Sequence, residues 1–225
     1  MTLAAPGPTA KVDFADRLLA WYRRQGRRLP WRENHDPYRI WLAEIMLQQT
    51  GVTTVIPYYQ RFLERFPNLF ALAGASLDEV IALWAGLGYY SRARNLHAAA
   101  RVLVADHGGR FPAEVEELTR LPGIGRSTAG AICAIAFGKR APILDGNVRR
   151  ILSRVYALEA PVKTADSDKR LWIWAEELTP AANVHDYTQA IMDLGATLCT
   201  PKNPSCSSCP VSPCCLAFRL GRVAE

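Results

Sequence analysis

The sequence of 225 residues predicts an all-α protein, and three observations support this prediction. Apolar residues recur at helical spacing from Val55 to Phe66, and Pro67 ends the series. Residues 76–79 (SLDE) form a capping box, which is typical of a helix N-terminus. No stretch alternates apolar and polar residues over the length of a convincing strand. We therefore expect a core of packed helices.

Further helices are predicted along the chain from the same kinds of signal. The capping box begins a helix that Gly86 ends, and we expect this helix to bury its apolar residues Leu77, Val80, Ile81 and Trp84. Another helix closes at residues 102–105, before the His-Gly-Gly sequence at 107–109. A tryptophan-containing tract at residues 171–178 predicts one more helix, which ends at Pro180.

Residues 121–125 (LPGIG) lie at a predicted junction between two helices. Gly123 and Gly125 permit positive φ and bring backbone N–H groups to the surface, where they can bind a DNA phosphate. This is the pattern of a helix-hairpin-helix, although a plain turn would also use glycines. About twenty residues later, Asp145 precedes Arg149 and Arg150, and an Asp at such a place usually caps the following helix.

Four cysteines near the C-terminus have the spacing C-x6-C-x2-C-x5-C: Cys199, Cys206, Cys209 and Cys215. Thiolates favour soft metals, so the alternatives are an iron–sulfur cluster and zinc. Structural zinc sites usually offer two short pairs, whereas this segment has one, which favours a [4Fe–4S] cluster. Unligated thiols remain a third alternative. A disulfide framework is disfavoured because six cysteines are few for this length and no export signal is present.

The chain carries 27 Lys and Arg against 21 Asp and Glu, a net charge of +6 that suits a polyanionic partner. The arginines cluster within residues 23–32, at 92–94 and at 149–154, although each cluster would also suit a solvated helix face. No apolar run reaches the length of a signal peptide or a membrane span. We therefore expect a cytoplasmic protein that does not contact membranes.

The sequence resembles the helix-hairpin-helix DNA glycosylase superfamily, in its endonuclease III branch. The resemblance lies in the order and spacing of the hairpin, Asp145 and the cysteine loop. The match is closest to the MutY-type adenine DNA glycosylases. The motifs that carry the resemblance, besides the hairpin, are 29–32 (LPWR), 41–50 (WLAEIMLQQT), 86–97 (GLGYYSRARNLH) and 144–148 (LDGNV). The resemblance extends from about residue 14 to residue 218.

The resemblance implies excision of adenine mispaired with guanine or 8-oxoguanine, by hydrolysis of the N-glycosidic bond. Adenine leaves readily only when protonated, and Glu44 lies among apolar residues that favour its protonated form. Asp145 takes the role of the ionised carboxylate that stabilises the developing sugar cation. Asn147 is the third residue assigned to the catalytic site.

The resemblance also implies contacts with double-stranded DNA, bound by a monomer. Gln49 and Tyr89 would enter the duplex, where Tyr89 stacks on bases and Gln49 binds an orphaned base. We expect one of Tyr89 and Tyr90 to pack in the core instead. The other predicted DNA-binding residues are Arg27, Trp31, Arg32, Gln48, Thr50, Leu87, Leu121, Gly123, Gly125, Ser127, Arg149, Arg150 and Lys202.

Two helical modules follow from the resemblance. Residues 32–137 would form a six-helix barrel that carries the hairpin, and residues 12–31 with 138–225 would form an iron–sulfur cluster module, preceded by a disordered tail over residues 1–11. Glu44 and Asp145 would face each other across the cleft between the modules. Cys214 and Cys133 are expected to be non-ligands, and the cluster is expected to order a basic loop.

The sequence departs from the family pattern in two respects. Relatives that also cut the strand carry a Lys at the position of Ser127, so we expect no Schiff base and no efficient strand cleavage. Some adenine glycosylases carry a Tyr there. The usual adenine glycosylase also continues into a domain that recognises 8-oxoguanine, whereas this sequence stops ten residues after Cys215. We expect a catalytic core.

Three other functions are weighed against adenine excision. A glycosylase for thymine or uracil opposite guanine is disfavoured by Glu44 with Gln48 and Gln49. A strand-cleaving endonuclease is disfavoured by Ser127. A non-catalytic DNA-binding protein is disfavoured because both carboxylates lie in intact motifs.

Overall fold

The computed structural model describes residues 8–160 and 164–223, and every secondary-structure element in these ranges is helical. The all-α prediction is confirmed. The α-helices are α1 (Pro8–Gln25), α2 (Pro37–Leu47), α3 (Val52–Arg65), α4 (Leu69–Ala73), α5 (Leu77–Trp84), α6 (Ser91–His107), α7 (Val115–Leu118), α8 (Arg126–Phe137), α9 (Gly146–Val155), α10 (Ala165–Leu178), α11 (Val184–Thr197) and α12 (Leu216–Arg219). Short 3-10 helices lie at Pro30–Arg32, Cys206–Ser208 and Ser212–Cys214.

Helix α1 begins at Pro8, so the prediction of a disordered tail over residues 1–11 is wrong for residues 8–11. Residues 1–7 of the predicted tail lie outside the described residues.

The chain divides into two compact units, after Arg27 and after Phe137. We call residues 28–137 the middle unit, and the remaining N- and C-terminal residues together the terminal unit. The predicted division lay after residue 31. The structure assigns Trp31 to the middle unit, where its ring packs edge-to-face on Tyr59 with 5.3 Å between centroids.

Helix α2 lies at the centre of the middle unit, in contact with α3, α6 and α8. Seven of its eleven residues are buried, and a helix that is apolar on all sides has to be surrounded by other elements. The unit predicted as a six-helix barrel contains five helices of eight or more residues, together with the short α4 and α7. Aromatic rings fill the space between helices. The centre of the Phe62 ring lies 6.0 Å from that of Trp84 and 5.0 Å from that of Phe66.

The predicted capping box at Ser76 is confirmed. The Ser76 hydroxyl accepts from the Glu79 N–H, and the Glu79 carboxylate accepts from the Ser76 N–H, both at 3.2 Å. Helix α5 buries Trp84 as expected, but the expected burial of Leu77 is wrong, since this residue is 38% exposed. Leu77 is the first residue of α5 and lies at the end of the helix farthest from Trp84.

Helix α11 is the buried helix of the terminal unit and packs against α1 and α9. It carries Asp193, whose residue is fully buried. The Asp193 carboxylate accepts from the Arg27 backbone N–H at 2.9 Å and from its Nε at 2.7 Å, so the end of the α1 segment is tied to α11. No helix among the described residues is long and apolar enough to cross a membrane.

Asp193→Ala should lower the free energy of unfolding by roughly 1–3 kcal/mol, because the half-buried N–H donors of Arg27 lose their charged acceptor. Urea unfolding followed by circular dichroism measures this change. Asp16→Ala, a change of the same type at an exposed position of α1, is the matched control and should have a much smaller effect. Equal unfolding midpoints for the two variants would contradict the anchoring role of Asp193.

Candidate nucleic-acid interface and active-site residues

Helix α2 ends at Leu47 and delivers Gln48, Gln49 and Thr50 to the surface of the middle unit. Gln49 is exposed and has a left-handed backbone with φ of 57°. The Gln48 side-chain amide lies 3.4 Å from the Thr128 hydroxyl of α8. A non-glycine residue in the left-handed region is held there by its surroundings, and such strain is frequent at functional sites.

The loop between α5 and α6 carries Tyr89, which is also left-handed, with φ of 49°, and 57% exposed. Gly86 and Gly88, at φ of 91° and 80°, give this loop its tight path. Tyr90 is 39% exposed, so the expectation that one of the two tyrosines packs in the core is wrong. Leu87 is buried, which leaves its side chain little surface for the predicted DNA contact.

These two segments meet at one cavity of about 200 Å³ in the middle unit. Its lining residues are Ile45, Gln48, Gln49, Tyr89, Ser91, Arg92, Asn95 and Gly123. Four predicted DNA-binding residues from three separate segments of the sequence are therefore brought together: Gln48, Gln49, Tyr89 and Gly123.

The predicted hairpin connects α7 to α8. Gly123 has φ of 77°, and a Cβ atom there would lie 2.7 Å from the Cβ of Asn95, so the position requires glycine in both respects. Leu121 is buried and packs rather than pointing outwards. Helix α8 follows Gly125 directly, and the Ala129 N–H donates to the Gly125 carbonyl at 2.9 Å. The N-terminus of such a helix is the positive end of its dipole and suits an anion.

The two predicted catalytic carboxylates lie in different units. Glu44 lies on α2 and is half-buried between the buried residues Ala43 and Ile45. Asp145 is half-buried and caps α9, accepting from the Val148 N–H at 2.7 Å. Each carboxylate is thus fixed on a rigid helix of its own unit.

Opposing effects act on Asp145. Burial raises the pKa of this carboxyl above its ordinary value, while hydrogen bonds from the N–H groups of Val148 and Asn147 and the charge of Arg150 act in the opposite direction. Asn147 accepts a hydrogen bond from Arg150 Nη2 at 2.8 Å. Its Cβ packs so closely on Gly195 that any side chain there would collide with it.

The four predicted ligand thiols line one cavity of about 20 Å³ in the terminal unit, which is otherwise mainly apolar. Cys214 and Cys133 do not line this cavity, and none of the six cysteines forms a disulfide. Burial raises the pKa of Cys209 to about 11. Among the described residues, no three His, Cys, Asp or Glu side chains are grouped as a site for a metal ion.

Two arginines of α9 hold the cysteine loop. Arg154 Nη1 donates to the Cys199 Sγ at 3.3 Å and to the Thr200 carbonyl at 2.8 Å. Arg150 donates to the backbone carbonyls of Cys199 and Gly195, both at 2.7 Å. Arg150 was predicted to anchor DNA, and the structure instead directs its guanidinium into the protein.

Other predicted DNA-binding residues have diverse surroundings. Arg149 forms an ion pair of 2.6 Å with Asp168, and Arg27 is bound to Asp193, so each of these charges already faces a carboxylate. Trp31 is buried, Arg32 is half-buried and Lys202 is exposed. These contacts leave the hairpin amides and Lys202 as stronger candidates for phosphate binding than Arg149 or Arg27.

Arg92 is the residue that the sequence interpretation missed, because it was grouped with surface arginines. It is only 7% exposed. Its place in the helical series Arg92, Leu96, Ala99 and Leu103, all buried, was a usable signal: a residue in phase with the buried face of α6 faces the core whatever its charge.

Helices throughout the described residues, a glycine hairpin leading into α8 and a four-thiol loop define a helix-hairpin-helix protein. The sequence matches the model of the HhH-GPD superfamily of base excision DNA repair proteins over residues 42–177. The chain belongs to this superfamily, and the resemblance inferred from its motifs is confirmed.

Relatives and solved structures agree with this membership. The adenine DNA glycosylase of Buchnera aphidicola subsp. Schizaphis graminum is 44% identical over 207 residues, which cover 92% of this chain and 60% of that protein. The human adenine DNA glycosylase is 47% identical over 213 residues, 91% of this chain and 39% of that protein. The structure of a thermostable thymine-DNA glycosylase matches with a TM-score of 0.84 at 29% identity, covering 94% of this chain and 98% of that chain.

The substitution Asp145→Asn should stabilise the protein at neutral pH, because it keeps an N-cap of equal quality and removes the desolvated charge. The pKa of the Asp145 carboxyl is raised in the folded state. The stability that the protonated carboxyl contributes is therefore fully present below the unfolded-state pKa, and it is lost as the pH rises through the folded-state pKa. The gain should therefore disappear on acidification. Urea unfolding at neutral and acidic pH measures this gain, with Asp36→Asn as the control, since Asp36 is also an N-cap and its side chain is 43% exposed. A destabilised variant at neutral pH would contradict this account.

Proposed function

We propose that this chain is an adenine DNA glycosylase that removes adenine mispaired with guanine or 8-oxoguanine. The observation that carries the proposal is the meeting of Gln49 and Tyr89, both exposed and left-handed, at one cavity. Two exposed side chains on constrained backbone suit insertion into a duplex from which a nucleotide has been extruded. The similarity to proteins named adenine DNA glycosylase supports adenine as the excised base. The chain spans about 60% of the length of its bacterial relative, so the activity of the whole protein is part of the proposal.

Glu44 is the proposed proton donor. In its protonated form it donates to the extruded adenine, the C–N bond breaks, and adenine leaves as a neutral base. Its half-buried position on α2 supports this role, because partial removal from water disfavours the charged form of a carboxyl group. Water adds to the sugar, and the proton that it releases restores Glu44.

Asp145 is the proposed stabiliser of the sugar cation. Its charge has to be present when the C–N bond breaks, and the Val148 N–H at 2.7 Å holds the carboxylate in place. Burial opposes ionisation, so this residue costs the folded protein stability that a neutral residue would not cost. Such a cost at a reacting group is common in enzymes.

We propose that phosphate contacts come mainly from the first-turn amides of α8, after Gly125, and from the exposed Lys202. Backbone amides bind phosphates without reading sequence. Ser127, in the first turn of α8, has no amine with which to form a Schiff base with the sugar, and this supports hydrolysis without efficient strand cleavage. We expect the enzyme to act as a monomer in the cytoplasm, at the nucleoid if the cell is bacterial.

A [4Fe–4S] cluster is the proposed cofactor. Four thiols around one mainly apolar cavity suit an iron–sulfur cluster, because cysteine thiolates are the usual ligands of such clusters and structural zinc sites usually have two short ligand pairs rather than one. Cys199, Cys206, Cys209 and Cys215 would hold it, and Arg154 supplies a positive charge beside Cys199. When bound, the cluster would order the loop that presents Lys202 to phosphate.

The runner-up function is excision of thymine or uracil opposite guanine, which the likeness to a thymine-DNA glycosylase structure favours. One assay separates the candidates. Duplexes containing A opposite 8-oxoguanine, A opposite guanine, T opposite guanine and U opposite guanine are incubated with the wild type. Adenine should be released from the first two duplexes, whereas release of thymine or uracil would favour the runner-up.

Glu44→Gln should reduce adenine release by about 10²- to 10⁴-fold, the range expected on loss of a general acid, while affinity for mispaired DNA stays close to that of the wild type. Single-turnover excision and fluorescence anisotropy measure the two quantities. Glu64→Gln, at an exposed position of α3, should leave excision unchanged. Near-normal excision by Glu44→Gln would refute the assigned proton donor, and efficient borohydride trapping of wild type on DNA would refute the absence of a Schiff base.

Cys206→Ser should abolish cofactor binding and lower the thermal midpoint, because the loop loses one of its four ligands. Cys214→Ser is the matched control and should retain the cofactor, since Cys214 does not line the cavity. Protein purified without oxygen should be brown and contain about four iron atoms per chain. A colourless, active protein with one zinc ion would contradict the cluster, and loss of iron from Cys214→Ser would contradict the ligand set.

A further inference from the structure

Arg92 lies in the first turn of α6 and is 7% exposed, which is unusual for an arginine. The first turn of a helix is also the end at which the helix dipole disfavours a positive charge. Burial lowers the pKa of Arg92. Among the described residues it forms no ion pair with a carboxylate, so other contacts have to offset the cost of its burial.

One terminal nitrogen of Arg92 donates hydrogen bonds to the end of α2. Nη1 donates to the backbone carbonyls of Ile45, Met46 and Gln48 at 3.1, 2.7 and 2.6 Å. The last carbonyls of a helix have no partner within it, and they form the negative end of its dipole. Arg92 therefore fixes the point at which α2 ends and Gln49 turns outwards.

The other terminal nitrogen donates hydrogen bonds to the loop that carries Tyr89. Nη2 donates to the carbonyls of Leu87 and Gly88 at 3.3 and 3.2 Å, and to the Thr50 hydroxyl at 3.0 Å. The guanidinium carbon also lies 5.3 Å from the centre of the Tyr89 ring, within cation–π range. A single planar group thus joins two segments that lie about forty residues apart in the sequence.

We infer that Arg92 is a positioning residue that holds Gln49 and Tyr89 at a set separation, so that both can enter the duplex at one extruded nucleotide. This inference rests on the proposed function. Arg92 itself is buried and acts through the backbone of the two segments. The left-handed backbones of Gln49 and Tyr89 are the strained conformations that its hydrogen bonds stabilise.

The fork of the guanidinium is essential to this role. Lysine keeps the charge but has one nitrogen with three donors, so it can reach the end of α2 or the loop and not both with the same geometry. Arg92→Lys should therefore fail to restore the function, which distinguishes positioning from a simple need for a buried charge.

The test uses 2-aminopurine opposite guanine, with a fluorine at the 2′ position of its sugar to slow hydrolysis. The fluorescence of 2-aminopurine rises when the base is unstacked, and at saturating protein the rise per bound duplex does not depend on the folded fraction. Wild type, Arg92→Lys, Arg92→Met and the control Arg101→Met are compared, the control being the same change at an exposed position of α6. Affinity for a matched duplex of the same sequence is measured in parallel.

Wild type and Arg101→Met should give a full rise in fluorescence. Both Arg92 variants should lose most of it, and their affinity for the mispaired duplex should fall on the order of tenfold, the effect of losing hydrogen bonds from a charged group. Their affinity for the matched duplex should change by less than about twofold, since phosphate contacts dominate it.

Three outcomes would overturn the inference. A full fluorescence rise with Arg92→Lys would show that the fork is not required. Equal losses of affinity for both duplexes would assign Arg92 to folding alone. Absence of the fluorescence rise with wild type would contradict extrusion of the base, and with it the proposed function. A rise that is present in wild type and survives in Arg92→Lys and Arg92→Met would refute only the role of Arg92.

Discussion

The middle unit depends on one constraint: helix α2 is apolar on nearly every side and ends at the protein surface. Burial of seven of its eleven residues requires α3, α6 and α8 to pack around it. Its last carbonyls then lie where the chain turns towards solvent, and the guanidinium of Arg92 satisfies them. The same contact orders Gln49 and, through the neighbouring loop, Tyr89. The contacts that pack the core therefore also order the candidate DNA-contacting surface.

The terminal unit follows a similar logic around α9. Asp145 caps the N-terminus of this helix, and Arg150 and Arg154 extend from it to hold the cysteine loop through Cys199. A candidate catalytic carboxylate and a candidate cofactor loop are thus fixed by a single ten-residue helix. A change in the loop could reach Asp145 through Arg150, whose charge acts on the Asp145 carboxyl.

Local signals were sufficient for much of the fold. The capping box at Ser76 and the positive φ of Gly123 depend on residues a few positions apart, and both are confirmed as structural features. Leu77 and Tyr90 were misjudged because hydrophobic character predicts burial only when a partner surface exists, and that surface is contributed by distant parts of the chain.

The sequence by itself determined the helical class, the family and the residue types available for chemistry, including Glu44 and Asp145. Only the tertiary structure decided which charges are available to a ligand. Arg92 and Arg150 look like surface cations in the sequence, yet their guanidiniums bind backbone carbonyls inside their units. The physical reason is that a chain's unpaired helix ends and tight loops need donors, and which arginine meets them depends on packing between segments far apart in sequence.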